Sequence, residues 1–304
     1  MDYKKIFNPG PASRSVEDKQ DALADRRDGR VYVYHNADVP LAVNVALATR
    51  RPLLLRGRSG TGKSSLARNV AINLGFRYYE AVVTSRTHAR DLLWEVDLLR
   101  RLHLAQLREG ELDPDMTAFI EPGVLWWAFD PQSAATQAKM AAGKEVPDPT
   151  FEHPGAAQAV VLIDEIDKAE PDVPNNLLVP LGSLQFQVEE TRLPVKTTPE
   201  TAPLVFITSN DERELPPAFL RRCIQLELPS PDTEGLKKIA EAHFPNFTDT
   251  IAKIATLLEE STKKAGRPLP APPEFLDTVK ACRQMDIVPG TKAWESLIQI
   301  TVLK

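Results

Sequence analysis

One stretch limits what this chain can fold into more than any other: Leu53 to Ser65, LLLRGRSGTGKSS. Three apolar residues run into a glycine-rich turn ending in Lys63 and Ser64, and the string fits GxxxxGK[ST] at every fixed position. Gly57, Gly60 and Gly62 leave room for backbone N–H groups to close around phosphate oxygens. Lys63 can neutralise the outer phosphates of a nucleotide, and the Ser64 hydroxyl can sit on Mg²⁺. Arg58, Ser59, Thr61 and Ser65 complete the expected phosphate-binding set. The helix predicted to follow aims its positive N-terminus at the same anion. Leu66, Val70, Ala71 and Leu74 recur at helical spacing, and Gly75 sits where a helix stops. Buried strand, loop and helix in that order predict an α/β fold.

Around this unit the chain divides by composition. Residues 1–30 are polar, with a turn at Asn8 to Pro11 and the charge-rich run EDKQDALADRRDGR, and are expected to form a solvated arm. Val31 to Tyr34 alternates like a short strand, and Asp38 with Pro40 opens an apolar helix. Tyr78 to Val83 reads as a second strand. A long helix is expected from about Ala89, with Leu92, Val96, Leu99 and Leu102 on one face. Trp126 and Trp127 are expected in the core, since no basic residues interleave with them. Residues 131–158 are rich in alanine, proline and polar residues without sustained period, and predict an exposed insertion loop. Strands are expected at Ala159 to Ile163, Leu204 to Thr208 and Cys223 to Leu228, with a hairpin over Leu184 to Val195. From Asp232 onward only helical patterns remain. The predicted domains are therefore an α/β nucleotide-binding domain over 31–230 and a small all-α lid over 231–304.

Composition excludes several classes. No apolar run approaches the length that spans a bilayer, and the N-terminus lacks the apolar segment of a signal peptide, so no membrane and a cytoplasmic location are expected. Cys223 and Cys282 are too few for a disulfide framework or a zinc site and are expected to be small buried hydrophobes. A net charge of −5 gives no electrostatic case for nucleic acid as a partner.

Two acids complete a hydrolytic site. VVLIDEID is an apolar strand that delivers Asp164 beside a metal and Glu165 one residue on, where it can orient and deprotonate water aimed at a γ-phosphate. Asp167 and Asp172 are expected to cap the helix that follows. Asn210, at the tip of LVFITSN, would lie at a neighbouring strand end and could hold the same water. Arg221 and Arg222 precede the last strand and could reach a nucleotide on a neighbouring subunit.

In their order and spacing these motifs resemble those of the AAA+ ATPases, and within them the MoxR-like group. The entry and Walker A are AVNVALATRRPLLLRGRSGTGKSSLA, Walker B is VVLIDEIDKA, sensor 1 is TSN, and the arginine-finger box is AFLRRC. The resemblance implies a parallel sheet flanked by helices, an AAA+ P-loop domain, followed by the helical lid. It implies an ATPase binding ATP or ADP with Mg²⁺ on Ser64 and Asp164. Lys63 would bind phosphate, Glu165 activate water, Asn210 act as sensor 1, and Arg221 or Arg222 act as the finger in trans. It also implies a homo-oligomeric ring, usually a hexamer, that remodels a partner protein, often one with a von Willebrand factor A domain. The 184–195 hairpin takes the place of the family's pre-sensor insertion. Where the family carries a sensor 2 arginine on a late lid helix, this chain has Lys292, which lacks the planar fork.

Other readings of the same residues stay open. A small-molecule kinase would use the phosphate loop but has less use for the paired Asp164 and Glu165. A GTPase would need an NKxD motif, which the sequence lacks. Lys292 leaves room for a nucleotide-dependent binding module in which hydrolysis is slow or vestigial and assembly is the output, or for a DNA-processing relative.

Overall fold

In the computed structural model, residues 3–10, 12–14, 29–34, 36–107 and 115–302 are described. The elements run β1 (Ala12–Arg14), β2 (Val31–Val33), α1 (Asp38–Thr49), β3 (Leu53–Arg56), α2 (Lys63–Leu74), β4 (Arg77–Val82), β5 (Trp94–Val96) and α3 (Leu98–Leu107). They continue with β6 (Ile120–Pro122), α4 (Val124–Phe129), α5 (Pro131–Ala142), β7 (Ala159–Asp164), α6 (Asp172–Ser183), β8 (Gln185–Gln187), β9 (Pro194–Lys196) and β10 (Leu204–Ser209). The last are α7 (Pro217–Arg222), β11 (Ile224–Glu227), α8 (Thr233–His243), α9 (Thr248–Lys264), α10 (Pro272–Gln284) and α11 (Lys292–Thr301).

The main sheet is five-stranded and parallel, in the order β11-β3-β10-β7-β4. Its strands are apolar runs buried on both faces, as parallel sheets covered by helices require. Side-chain alternation sorts the runs between two cores. Leu54, Tyr79, Val161, Ile163, Val205 and Ile207 face α4, α5 and α6. Leu53, Leu55, Tyr78, Val160, Leu162 and Phe206 face α1 and α2. The predicted α/β fold, with a parallel sheet flanked by helices and further C-terminal helices, is what the chain adopts. Helices α8 to α11 bury a third cluster of their own, with Leu236, Ile254, Phe275 and Trp294 at its centre. Among the described residues no helix is long and apolar enough to cross a membrane.

Three expectations fail, each for a local reason. Residues 131–142 are helix rather than loop. Asp130 accepts a hydrogen bond from Ser133 N at 3.0 Å, Pro131 opens the helix, and Gly143 ends it in the left-handed region. Its buried face is Ala134, Gln137, Ala138 and Ala141, a stripe of small residues whose mean apolarity is too low to register as a period. The remainder, 143–158, is irregular but anchored. The buried Arg77 guanidinium donates to Ala156 O and Trp127 O at 2.7 and 2.8 Å, and Arg68 pairs with Glu152 at 2.9 Å.

The long helix expected from Ala89 is broken into a short 3-10 turn, strand β5 and helix α3. Leu92 is buried, whereas Leu99 is 82% exposed, so the spacing does not lie on one face. Trp94 decides the break. It pairs through β5 with Pro122 of β6 and stacks on Phe186 of the β8–β9 hairpin, whose Glu190 carboxylate accepts from its indole N–H at 2.8 Å.

The N-terminal arm is also not wholly solvated. Phe7 is 1% exposed in the α1–α2 core, and the Asn44 side chain accepts from Ile6 N and Phe7 N and donates to Phe7 O. Residues 15–28, the centre of the charge-rich run, lie outside the described residues.

Candidate functional site

The strand order decides where chemistry can happen. β10 lies between β3 and β7, so the loops leaving the C-terminal ends of these three strands are neighbours. Those loops carry Gly57 to Ser64, Glu165 and Asn210, residues spread over 150 positions of sequence.

The phosphate loop has little room to be anything else. At Gly57 the backbone φ is 133° and an added Cβ would stand 2.5 Å from Leu228 O, so only glycine lets the loop pass the end of β11. Gly62 caps α2 with φ 91°, its α-carbon facing the Tyr32 ring. Lys63 is 6% exposed, and its ammonium donates to Gly57 O at 2.7 Å, Arg58 O at 2.9 Å and Asn210 Oδ1 at 2.8 Å. Burial pushes the lysine pKa below its usual value, against the pull of Asp164, Asp167, Asp211 and Glu165. A polyphosphate entering the loop would replace neutral carbonyls with full negative charge beside this cation.

The acids sit on the adjoining strand end. Ser64 Oγ lies 3.0 and 2.9 Å from the two carboxylate oxygens of Asp164, which is 5% exposed and also accepts from the Thr208 hydroxyl. Hydroxyl and carboxylate oxygens, hard donors with no nitrogen or sulfur among them, are a set that would fit Mg²⁺. Glu165 adopts a left-handed φ of 63°, held where its N–H donates to Thr208 Oγ1 at 2.9 Å. Both of its carboxylate oxygens are engaged: Lys168 Nζ donates to one at 2.7 Å, and the Asn210 amide donates to the other at 3.4 Å. Asn210 therefore bridges Lys63 and Glu165, joining the group that would bind phosphate to the group that would activate water.

Asp167 does not cap the next helix as expected. It is 2% exposed, and one oxygen accepts from Asn210 N at 3.1 Å and Glu212 N at 3.0 Å. It thereby pins the loop carrying Asn210 against the loop carrying Glu165. Thr208, Asp167 and Lys168 make these contacts without occupying a motif position that specifies them. The only signal for them is their place in VVLIDEIDKA and LVFITSN, within two or three residues of the motif positions.

Arg221 and Arg222 end α7 in exposed positions, and their backbone carbonyls accept from Arg51. Lys292 opens α11, also exposed, after a Thr291 cap. The part of the C-terminal helices that meets the phosphate loop is the start of α10: a Cβ on Gly60 would stand 3.0 Å from Ala271 Cβ and 3.2 Å from Pro273 Cδ.

The sequence model of the AAA domain, dynein-related subfamily, matches residues 52–223, more than half of the chain. The chain belongs to this family. Members of the AAA+ class generally hydrolyse ATP, and the fold implies nucleotide binding. No curated protein matches the chain. Solved structures similar to it include Thermotoga maritima RuvB, a Holliday junction branch migration motor, at 14% identity and a TM-score of 0.43 over 86% of this chain and 67% of that one. A RuvB variant from the same source reaches 15% identity and a TM-score of 0.46, with 86% and 67% covered. A proposed ATPase from Cytophaga hutchinsonii stands at 14% and 0.43, with 86% and 66% covered. These likenesses are loose, and the assignment of an AAA domain rests on the family match and the strand order.

Proposed function

We propose that this chain is a MoxR-like AAA+ ATPase, a Mg-ATP-dependent enzyme that works as a homo-oligomeric ring, hexameric in form, and remodels a partner protein. A partner carrying a von Willebrand factor A domain is the kind such rings serve. The observation that carries the reading is the bridge through Asn210, with Lys63 at 2.8 Å on one side and Glu165 at 3.4 Å on the other. Against a kinase, two adjacent acids at the end of a strand favour water over a substrate hydroxyl as the nucleophile.

In this reading Lys63 and the loop N–H groups bind and orient the phosphates. Ser64 and Asp164 would hold Mg²⁺, whose charge would help neutralise the phosphates. Glu165 takes a proton from water that Asn210 helps hold, and Asp167 keeps the two loops in register. Arg221 or Arg222 completes the site of the next subunit. Residues 231–304 act as the lid, a role supported by the start of α10 lying against Gly60 of the phosphate loop. The net charge of −5 argues against nucleic acid as the remodelled partner.

Glu165→Gln is the direct test. Turnover should fall by about 10²–10⁴-fold, the usual contribution of a general base, while ATP stays bound. An unchanged rate, or isolation of a phosphorylated small-molecule acceptor, would overturn the hydrolase reading.

A further inference from the structure

Arg51 stands two residues before β3, the strand that feeds the phosphate loop, yet its guanidinium is spent on α7. Nη2 donates to Arg221 O at 2.6 Å and to Cys223 O at 2.9 Å, and Nε donates to Arg222 O at 3.2 Å. These are carbonyls at the C-terminal end of α7, among those with no partner inside a helix, and a cation there also opposes the negative end of the helix dipole. α7 has six residues, too short to hold on intrinsic propensity. Its other fixings include Phe219, which is fully buried, a bond from Gln225 Nε2 to Leu220 O at 3.2 Å, and the bond from Ile224 N to Pro52 O at 2.8 Å next to the same point. Arg51 thus joins the base of the phosphate-loop strand to the end of the helix that carries Arg221 and Arg222.

We propose that Arg51 is a positioning residue for the trans-acting arginine: it fixes the direction in which α7 presents Arg221 and Arg222 to the neighbouring subunit's nucleotide. The inference rests on the shared-site reading above and adds a residue to it. The contact uses two nitrogens of one rigid plane, Nε and Nη2, spread over three successive carbonyls, a geometry that a single lysine nitrogen reproduces only in part. Because strand β3 and helix α7 meet at Arg51, the nucleotide loop of one site and the finger offered to the next are mounted on one point of the same subunit.

The test is a mixing experiment with full-length chains. Arg51→Ala alone should lower kcat by about tenfold to a hundredfold, the scale of a small misplacement of a reacting group, with ATP affinity unchanged within about twofold. Arg51→Lys should fall between Arg51→Ala and the parent. Mixed with Glu165→Gln subunits, whose α7 is intact, Arg51→Ala subunits should recover turnover above that of either variant alone. A parallel mixture of the Arg221→Ala/Arg222→Ala double variant with Glu165→Gln is the control for the shared site. Recovery in the control but not with Arg51→Ala, an unchanged kcat, or a drop in ATP affinity would overturn the role of Arg51 alone. Failure of both mixtures would overturn the shared site and, with it, this inference.

Discussion

The phosphate loop and helix α7 each set cationic side chains beside a strand end of the same sheet, and treat them in opposite ways. Lys63 is 6% exposed, with its ammonium absorbed by two backbone carbonyls and Asn210 of its own chain. Arg221 and Arg222 are exposed, while the backbone that carries them is clamped by Arg51. A cation that serves a phosphate in its own subunit can be buried, because the phosphate supplies the charge that burial removes. A cation that serves another subunit must keep its head in solvent, and rigidity then comes from the main chain behind it.

The comparison predicts different failures. Lys63→Ala should have the largest effect, removing nucleotide binding together with hydrolysis and lowering turnover by more than about 10³-fold. Calorimetric titration with ATP and a phosphate-release assay read the two losses together. The Arg221→Ala/Arg222→Ala double variant should lower turnover by about 10³-fold, the lower end for a finger, and leave ATP affinity intact. If that variant lost affinity as well, the arginines would serve their own chain and the contrast would collapse. The smallest effect concerns the mount of α7. Burial pushes the Cys223 thiol up to about 12, with the Arg51 cation pulling the other way, so at pH 8 it is almost wholly protonated as well as 4% exposed. It should resist alkylation in the native protein and react on unfolding. Rapid labelling of Cys223 under native conditions would show that the end of α7 opens.

The site was legible where chemistry fixes residue type at short spacing. That the phosphate loop, Asp164, Glu165 and Asn210 would come together could be read because each stands at the C-terminal end of an apolar strand run. The strands were legible because burial on both faces leaves uninterrupted apolar runs such as AVVLI and LVFIT. What failed to show lacked such a constraint. Helix α5 buries mainly alanines, which contribute too little apolarity to give a period, so its start signals at Asp130 and Pro131 stand without a supporting pattern. Leu92 to Leu102 carries helical spacing, yet Trp94 finds Phe186 and Glu190 about ninety residues away and takes the backbone into a strand. Tertiary packing overrides local period in that segment. Phe7, with Ile6 beside it, is a short apolar break in a polar run, anchored by Asn44. Arg51 and Asp167 act across 170 and 43 positions of sequence, distances over which a single sequence carries no pairing signal.

The central claim is that one subunit holds a nucleotide but lacks a complete hydrolytic site. Its most direct measurement is ATP turnover per subunit across a protein dilution series, with ATP binding and assembly mass followed in the same samples. Turnover per subunit should fall steeply as the assembly dissociates, while each subunit still binds ATP. Constant turnover per subunit down to concentrations where only monomer remains would contradict it.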